Sequence, residues 1–505
     1  MSGLKGMPWG QLMVVALMRF AEPVSFTSLF PYIYFMVKRF EICPEEDIAR
    51  YAGYISGIFA LCQTLTGILW GVASDKFGRK PVVLIGLTGS AVSLLVFGLS
   101  TNYYMAVGAR CIAGLLNGNV GVIRTLLGEI ATKRSHQAVA FSIMPLLWQV
   151  GCVIGPMLGG YLAEPVETHP EWFSKGSKAY ILFSKYPFLL PNIIVSSVLV
   201  LGMSVAFLFL KETHEDYQDR YDIGRALSSR LLGVFRGSKC SEKSDQDDDS
   251  RESSPLLEDP EASEDYGARK PVSTARIEEV DQSWGAILTP YVRRSLVSAG
   301  LLALHCMVYD ELLPIFLETG VDPTSKAPFS LRGGLGMDAE RVGNLLSLNG
   351  FIGIFMMLVV FPWIDSTFGT LVPYRISLWC YPAVYFVVPY FVLLVKQTAG
   401  VRDFALIVSL FIRTVVNATA NPLLLLLTNR APAHSRHLGV VNGCVQVCSS
   451  LARAIGPIVW GILMTTGQSH GWAQLPWWML TAVALIGAIQ SKWLIDRDDD
   501  GNIIH

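Results

Sequence analysis

Two arginines and a glutamate lie inside long apolar runs, where the glutamate could bind and release a proton and the arginines could pair with it. Arg19 and Glu22 are three residues apart in the run 11–37, and Arg110 lies about seven residues from the start of the run 103–128. On helices rising about 1.5 Å per residue, Glu22 and Arg110 reach similar depths. A carboxylate that loses water has its pKa raised, whereas one beside an arginine has it lowered. We therefore predict that Glu22 titrates as it exchanges Arg110 and Arg19 as partners; a permanently ionised structural pair is the alternative.

Further polar side chains recur in apolar runs of the second half and in the run that holds Arg110. Asp310 and Glu311 are adjacent, so on a helix they diverge by about 100°, and we expect only one of them to face a binding cavity. Glu129 is expected to pair with Arg124 or Lys133. The residues predicted to contact a bound substrate are Asn117, Asp310, Arg413, Asn417, Gln446 and Arg453.

The composition excludes a soluble enzyme. The chain has 505 residues, of which 51% are apolar and 16% charged, against roughly 25% charged in an ordinary soluble domain. Apolar runs long enough to cross a hydrocarbon core, which takes about 20 helical residues, occur twelve times, and we number these spans 1 to 12. They cover 11–37, 51–73, 81–100, 103–128, 138–163, 187–210, 293–317, 342–364, 372–395, 404–427, 438–466 and 477–495.

The segment 211–288 differs from the rest of the chain. It carries 11 Lys and Arg against 19 Asp and Glu, and it is rich in Ser and Pro. Such a composition predicts a largely disordered linker between two halves. Its part from Arg220 to Lys243 could lie against an anionic leaflet or form a solvated face. The basic residues form no cluster on a folded domain, so nucleic-acid binding is not expected. The nine cysteines show no ligand spacing, so we expect no metal and no cofactor.

Short basic connections predict the orientation of the spans in the membrane. The 2–3 connection carries Lys76, Arg79 and Lys80, and basic residues recur in the 4–5 connection (Lys133, Arg134) and the 10–11 connection (Arg430, Arg436). The positive-inside rule then places both termini in the cytoplasm. The predicted domains are a cytoplasmic N-terminus (1–10), a six-helix bundle (11–210), the linker (211–288), a second six-helix bundle (289–495) and a cytoplasmic tail (496–505).

The two halves repeat the same features in the same order. Gly53 and Asp75 in span 2 are 22 positions apart, as are Gly343 and Asp365 in span 8. Spans 5 and 11 each contain a Gly-Pro pair followed by a glycine four positions after the proline. The repetition predicts an all-α membrane protein of twelve transmembrane helices in two pseudo-symmetric six-helix bundles. Bundles of this kind rock about a binding site near the midplane.

The segment "GVASDKFGRK" resembles the signature of the 2–3 loop in the major facilitator superfamily. In that family the loop acts as a gate latch between the halves. The glycines permit a tight turn, and the basic residues hold the loop at the cytoplasmic face. The matching gate residues are Gly71, Asp75, Gly78, Arg79 and Lys80.

A second segment, "GCVIGPMLGG", resembles the span 5 motif of the antiporters in this family. Small residues would let span 5 approach its partner across the boundary between the halves, and the proline would bend it there. A small-residue packing face with no directional meaning is the alternative. The chain departs from the longer pattern, because the glycine expected nine positions before Gly151 is Ser142. The matching residues are Gly151, Gly155, Pro156, Gly159 and Gly160.

Span 1 reads "MRFAEPVSFTSLFPYIYFM", which resembles the fungal and plant transporters related to zinc-induced-facilitator-like proteins, in the twelve-span drug:proton antiporter group. The resemblance implies a secondary transporter, not an enzyme, that exchanges protons for a small organic or drug-like molecule. It also ties the span 4 arginine, here Arg110, to proton coupling. Two alternatives stay open. One is a proton symporter or facilitator for an amino-acid-like or metal-chelate substrate, and the other is a non-transporting nutrient sensor.

The expected location is a membrane of the cell interior. The linker sequence "ESSPLL", from Glu252 to Leu257, fits an acidic dileucine motif that a sorting adaptor would bind. With the fungal resemblance, it favours the vacuolar membrane over the plasma membrane. The expected partners are the lipid bilayer, protons and a small-molecule substrate, and the protein is expected to be a monomer.

Overall fold

The computed structural model describes residues 7–130, 134–218, 221–235, 284–325, 329–396, 399–432, 437–497 and 503–504. Nearly all of these residues are helical. A chain inside lipid must satisfy its backbone N–H and C=O groups internally, and a helix does so within one segment. The long apolar runs therefore fold as helices, connected in the order that the sequence predicts.

The first half consists of spans 1 to 6. Span 2 is extended by a 3₁₀ turn, Glu45–Asp47, at its start. Short helices follow span 5 before span 6 begins. The helices of this half are Trp9–Thr27 and Ile33–Arg39 (span 1), Ile48–Phe77 (span 2), Arg79–Gly98 (span 3), Tyr103–Leu116 and Asn119–Ile130 (span 4), Arg134–Leu162 (span 5), Pro165–Thr168 and Lys178–Lys185 (connection), and Leu189–Phe209 (span 6).

The second half repeats this arrangement. It begins with the short helix Trp284–Ile287 and ends in a 3₁₀ turn, Ser491–Trp493. Its helices are Pro290–Glu318 (span 7), Ala339–Phe355 and Phe361–Phe368 (span 8), Leu371–Val387 (span 9), Ala399–Arg430 (span 10), Leu438–Ser469 (span 11) and Leu475–Gln490 (span 12). Ten helices among the described residues are long and apolar enough to cross a membrane. The helices of spans 1 and 12, Trp9–Thr27 and Leu475–Gln490, are not among these ten, and the ten are consistent with the twelve spans that the sequence predicts.

Several spans are interrupted where the sequence predicts one continuous helix. Span 1 breaks between Thr27 and Ile33, and span 4 breaks at Asn117 and Gly118. A π-helical turn, Met356–Val360, lies within span 8, and span 9 finishes as the 3₁₀ segment Val388–Lys396. Hydrophobicity gives the length of an apolar run but does not record where the backbone hydrogen-bond pattern changes.

Part of the predicted linker is folded. A 3₁₀ turn, Glu215–Tyr217, and a helix, Ile223–Phe235, follow span 6 directly. The tail also contains two short strands, β1 (Asp496–Arg497) and β2 (Ile503–Ile504), which pair antiparallel. Residues 236–283, including the predicted adaptor motif from Glu252 to Leu257, lie outside the described residues.

Among the described residues, the largest apolar cluster is shared by both halves and lies at one face of the molecule. One cluster joins Leu29–Val37 and Ala49–Ile55 of the first half to spans 7 to 12 of the second. A separate cluster, containing Leu12, Val83, Leu126 and Leu199, belongs to the first half alone. The shared cluster lies toward the 1–2 connection, which we call the loop 1–2 face. The separate cluster lies toward the opposite loop 2–3 face.

Candidate functional site

The halves touch closely near the loop 1–2 face, where glycines face backbone across the boundary. A Cβ added at Gly343 of span 8 would lie 2.5 Å from the Pro156 carbonyl oxygen of span 5, and one at Gly461 of span 11 would lie 2.8 Å from the Ala49 carbonyl oxygen. Carbon–oxygen contacts are normally about 3.3–3.6 Å. By contrast, a Cβ at Gly71 or Gly443, toward the loop 2–3 face, would meet no described atom within 4 Å. Among the described residues, the halves therefore pack against each other at the loop 1–2 face, whereas the apolar clusters toward the loop 2–3 face belong to one half each, so the cavity between the halves is closed at the first face and open at the second.

The span 5 motif packs mainly within its own half. Gly151, Gly155 and Gly159 lie against the backbone and side chains of span 1 between Pro23 and Ser28. The Thr27 hydroxyl donates to the Gly151 carbonyl oxygen at 3.0 Å. Of the four motif glycines, Gly160 alone faces the other half, where it meets Ala339 and Gly343 of span 8. The expectation that the motif's small residues serve contact across the boundary holds for Gly160 but not for the other three glycines.

The gate residues are also held by their own half. Gly78 ends span 2 with a φ of 98°, a left-handed conformation that favours glycine. The Arg79 guanidinium contacts Asp75 at 2.5 Å and Glu129 of span 4 at 3.0 Å. Glu129 therefore pairs with Arg79, so the predicted pairing with Arg124 is wrong, and the Lys133 side chain lies outside the described residues.

The folded segment after span 6 completes this gate cluster. The backbone N–H groups of Arg79 and Lys80 donate to the Glu212 carboxylate at 2.9 and 3.0 Å. The Lys80 ammonium contacts Asp222 at 2.5 Å. Partial burial alone would raise the pKa of Asp222, but the hydrogen bond and charge of Lys80, together with the backbone N–H groups of Arg225 and Gly224, outweigh it and hold that pKa below its ordinary value. The start of the predicted linker is thus anchored to the 2–3 loop.

Two cavities lie among the spans. The N-half cavity, of about 650 Å³, is lined by polar side chains that include Gln63, Asn117 and Asn119. Its charged lining residues come from three spans: Glu22 of span 1, Arg110 of span 4 and Arg453 of span 11. The sequence-predicted residues Glu22, Arg110, Asn117 and Arg453 therefore share one cavity.

The carboxylate of Glu22 is paired with the guanidinium of Arg19, one turn away on the same helix. Both side chains are largely buried, at 15% and 9% exposed. Arg124 of span 4 and Arg453 of span 11 lie within electrostatic range of both members of the pair. Three arginines from three spans thus surround one carboxylate.

Arg110 does not pair with Glu22 in the described state, in which Arg19 is the partner, so the exchange of partners between states stays a prediction. The guanidinium carbon of Arg110 lies 4.4 Å from the centre of the Phe59 ring. The carboxylate of Glu311 in span 7 lies within electrostatic range of Arg110. Depth along the membrane normal leaves the rotation of each helix open, and here rotation directs Arg110 toward the second half.

The interface cavity, of about 760 Å³, lies between spans of both halves. Arg413 of span 10 contacts Asp310 of span 7 at 2.5 Å, and its guanidinium carbon lies 4.7 Å from the Tyr309 ring centre. The polar residues that line this cavity are Gln149, Asp310, Glu311, Asn349, Arg413, Thr414 and Asn417.

Asp310 and Glu311 both line the interface cavity, so the expectation that only one of them would do so is wrong. Asp310 turns toward Arg413, whereas Glu311 lies within hydrogen-bonding range of Ser56 in span 2. The two directions diverge as helix geometry requires, but the cavity extends around span 7 and includes both. Gln446 of span 11 is partly buried and lies outside the lining of both cavities.

Two aromatic side chains form a partition between the cavities. Phe26 and Trp148 line both of them, with ring centroids 5.8 Å apart. Phe59 stands beside Phe26 at 6.1 Å and belongs to the N-half cavity. A substrate that occupies both cavities would pass these rings.

Sequence reasoning missed the role of several site residues. Arg124 was assigned to Glu129, and the anchoring acids Glu212 and Asp222 were placed in a largely disordered linker. Arg124 follows Asn117 by seven residues, about two helical turns, so helical spacing could have placed both on one face of span 4. Among the described residues, no group of three or more His, Cys, Asp or Glu side chains could hold a metal ion. The side chains of Lys133, Arg134, Ser142 and Arg436 lie outside the described residues.

The comparisons with known proteins agree with this architecture. The multidrug transporter mfsB of Aspergillus fumigatus is 37% identical, over 97% of this chain and 84% of its own length. ZINC INDUCED FACILITATOR-LIKE 1 of Arabidopsis thaliana is 28% identical, over 96% of this chain and 91% of its own length.

A bacterial homologue of the human lysosomal transporter Spinster, solved in an inward-facing and occupied conformation, superposes with a TM-score of 0.64. It covers 97% of each chain at 12% identity, which shows the fold alone. The family model "Major Facilitator Superfamily" matches residues 15–322. The chain is a membrane transport protein, and it belongs to the major facilitator superfamily.

Proposed function

We propose that this protein is a proton-coupled antiporter that exports or sequesters a small organic or drug-like solute. The observation that carries the proposal is the buried Arg19–Glu22 pair on a cavity that is closed at the loop 1–2 face and open at the loop 2–3 face. Charged groups kept inside a membrane cost several kcal/mol or more, on the order of 3 to 10. Their retention where water can reach them favours a role in moving ions.

The coupling would use the arginines around Glu22. In the described state Glu22 is paired with Arg19. Rocking of the halves would move Arg453 of span 11, which belongs to the second half, relative to Glu22 of the first. A carboxylate that changes its positive neighbours changes its affinity for a proton, and this links proton binding to the state of the transporter.

The relatives support export as the direction. One is named a multidrug transporter, and the chain matches 84% of its length at 37% identity. The resemblance of the span 5 motif to that of antiporters supports exchange, and three of its glycines pack closely against span 1. We also propose that the protein is a monomer in the vacuolar membrane with both termini in the cytoplasm. A sorting adaptor would bind the motif from Glu252 to Leu257.

Reconstituted vesicles with a pH-sensitive dye trapped inside test the direction of coupling. A screen of small organic solutes against an imposed pH gradient identifies compounds that move with the gradient. Antiport requires that solute entering the vesicle drive protons out. Solute entry accompanied by proton entry would refute antiport, and solute flux with no proton movement would refute coupling.

Symport is the second candidate because one observation favours it. Arginines outnumber carboxylates around Glu22, so an anion entering this site would take over an arginine and leave Glu22 without its counter-charge. A carboxylate without a counter-charge binds a proton more readily, so the anion and the proton would each strengthen the binding of the other. The same dye assay reports the sign of this linkage directly.

A further inference from the structure

The ionisable side chains of the two cavities are not balanced. Three carboxylates are present, those of Glu22, Asp310 and Glu311. The arginines that line the cavities or lie in electrostatic range of these carboxylates number five: Arg19, Arg110, Arg124, Arg413 and Arg453. With every group ionised, the site carries two positive charges more than it carries negative ones.

The excess falls on two of these arginines. Arg413 has Asp310 as a direct partner, and Arg19 has Glu22. Arg110 faces Glu311. Arg124 and Arg453 therefore share carboxylates that other arginines already engage, and neither forms an ion pair with any side chain that the structure describes.

Two buried arginines that line the N-half cavity have an unfilled donor. Arg110 is 5% exposed, and its Nε has no hydrogen-bond partner in the described part of the chain. The Nε of Arg453 has no partner there either, and the hydrogen bond that the described residues give its guanidinium is a long one of 3.4 Å to the Ser450 hydroxyl. The Nε of Arg19, beside Glu22, is likewise without a partner among the described residues. Buried guanidinium groups with free N–H donors need an acceptor, and a carboxylate or phosphate provides two oxygens that match their geometry.

Access to this cluster comes from the open side. Arg124 lies two turns beyond Asn117 along span 4, toward the loop 2–3 face, and its side chain is exposed. An incoming solute would meet Arg124 first and Arg453 at the boundary between the halves. Arg124 and Arg453 would therefore attract an anionic solute one after the other as it enters.

We propose that Arg124 and Arg453, with Arg19 beside Glu22, bind an anionic group of the transported solute, so that the substrate class is organic anions bearing a carboxylate, sulfonate or phosphate ester. This inference rests on the proposed function only in that the N-half cavity carries substrate. Binding of the anion brings the missing negative charge to Arg124 and Arg453 and fills the free Nε donor of Arg453.

Thermal unfolding of the purified full-length protein, followed by tryptophan fluorescence, tests the charge preference. The probes are three sets built on the same carbon skeletons: carboxylates and phosphate esters, the matching amides and alcohols, and the matching amines. Stabilising compounds should come from the anionic set. If none of the anions raises the unfolding midpoint, or if only amines or neutral compounds do, the proposal is overturned.

The double variant Arg124→Gln/Arg453→Gln tests the residues. It should weaken anion binding at least about tenfold, because two charge-assisted hydrogen-bond donors are lost. Arg402→Gln, which alters an arginine paired with Asp403 near the loop 1–2 face, serves as the matched control and should leave anion binding unchanged. Equal anion affinity in the double variant and in wild type would refute the assignment.

The unfolding midpoint of the protein without ligand provides a second test, which applies even if the double variant binds none of the probes. Removing an arginine from an unbalanced cluster relieves like-charge repulsion, so Arg124→Gln alone should keep or raise the unfolding midpoint of the empty protein. A lower midpoint would mean that Arg124 is a structural partner of Glu22, contrary to the proposal. If a pH gradient drives transport of a neutral solute and no anion binds, the anion site is refuted and the proposed function stands. If anions bind but a pH gradient drives no flux, the proposed function is refuted and the anion site stands.

Discussion

Substitution of Gly343 by alanine should open the closed loop 1–2 face. The added Cβ would lie 2.5 Å from the Pro156 carbonyl oxygen and 3.1 Å from the Gly160 Cα. Since carbon–oxygen contacts need about 3.3–3.6 Å, spans 5 and 8 must separate by about 1 Å at this crossing. Overpacking of this kind costs roughly 1–3 kcal/mol.

The cost falls on the state in which the two spans touch, so it shifts the equilibrium toward the state in which they are apart. At about 1.4 kcal/mol per factor of ten, the population ratio should change by roughly 5- to 150-fold. Hydrogen–deuterium exchange measures the change in peptides that cover 153–161 and 339–347. Amides there should exchange faster in Gly343→Ala than in wild type.

Gly121→Ala is the matched control, because a Cβ at Gly121 meets no described atom within 4 Å. It carries the same gain in helix propensity, about 1 kcal/mol, without the clash. Equal exchange at the loop 1–2 face in both variants would refute the reasoning that these glycines hold the closed state.

Three further predictions concern charged residues. Asp75→Ala should slow turnover but leave the half-saturating solute concentration unchanged, because Asp75 contacts Arg79 and lines neither cavity; equal losses in both would contradict a gate role. Asp310→Asn should lower stability by up to about 3 kcal/mol, since Arg413 stays buried without its partner. Adding Arg413→Gln should restore much of this loss in a thermal melt, and additive losses would refute the pairing. Asp222→Asn should cost about 1 kcal/mol at pH 7. The pKa of Asp222 is lowered in the folded protein, so the Lys80 contact stabilises above the ordinary aspartate value and is lost as pH falls below it; a difference from wild type that does not shrink at low pH would contradict this.

Much of the fold could be predicted from the sequence because hydrophobic length is set by the membrane. The spans, their order and the repeated Gly-Pro pairs all follow from local composition. The breaks in span 1 and span 4 could not be predicted, because they depend on which helix packs against them. Gly118, for example, lies against the Trp70 side chain of span 2, a contact that no local pattern encodes.

The candidate site was also predicted only in part, because local spacing indicates contacts within one helix but not contacts between helices. The Arg19–Glu22 pair follows from a spacing of three residues on one helix, which brings the two side chains onto one face. The partner of Arg110 does not follow from its depth, because it depends on how span 4 is rotated toward span 7. Arg453 and Glu22 belong to different halves, and only the packing of the halves brings them near each other.

The central claim is that Glu22 carries the proton that drives transport, and Glu22→Gln tests it most directly. The measurement is solute flux in reconstituted vesicles, driven either by a pH gradient or by exchange of labelled for unlabelled solute with no gradient. Glu22→Gln removes the titrating group with little change in shape, so gradient-driven flux should be abolished while exchange continues. Gradient-driven flux at the wild-type rate in this variant would contradict the account.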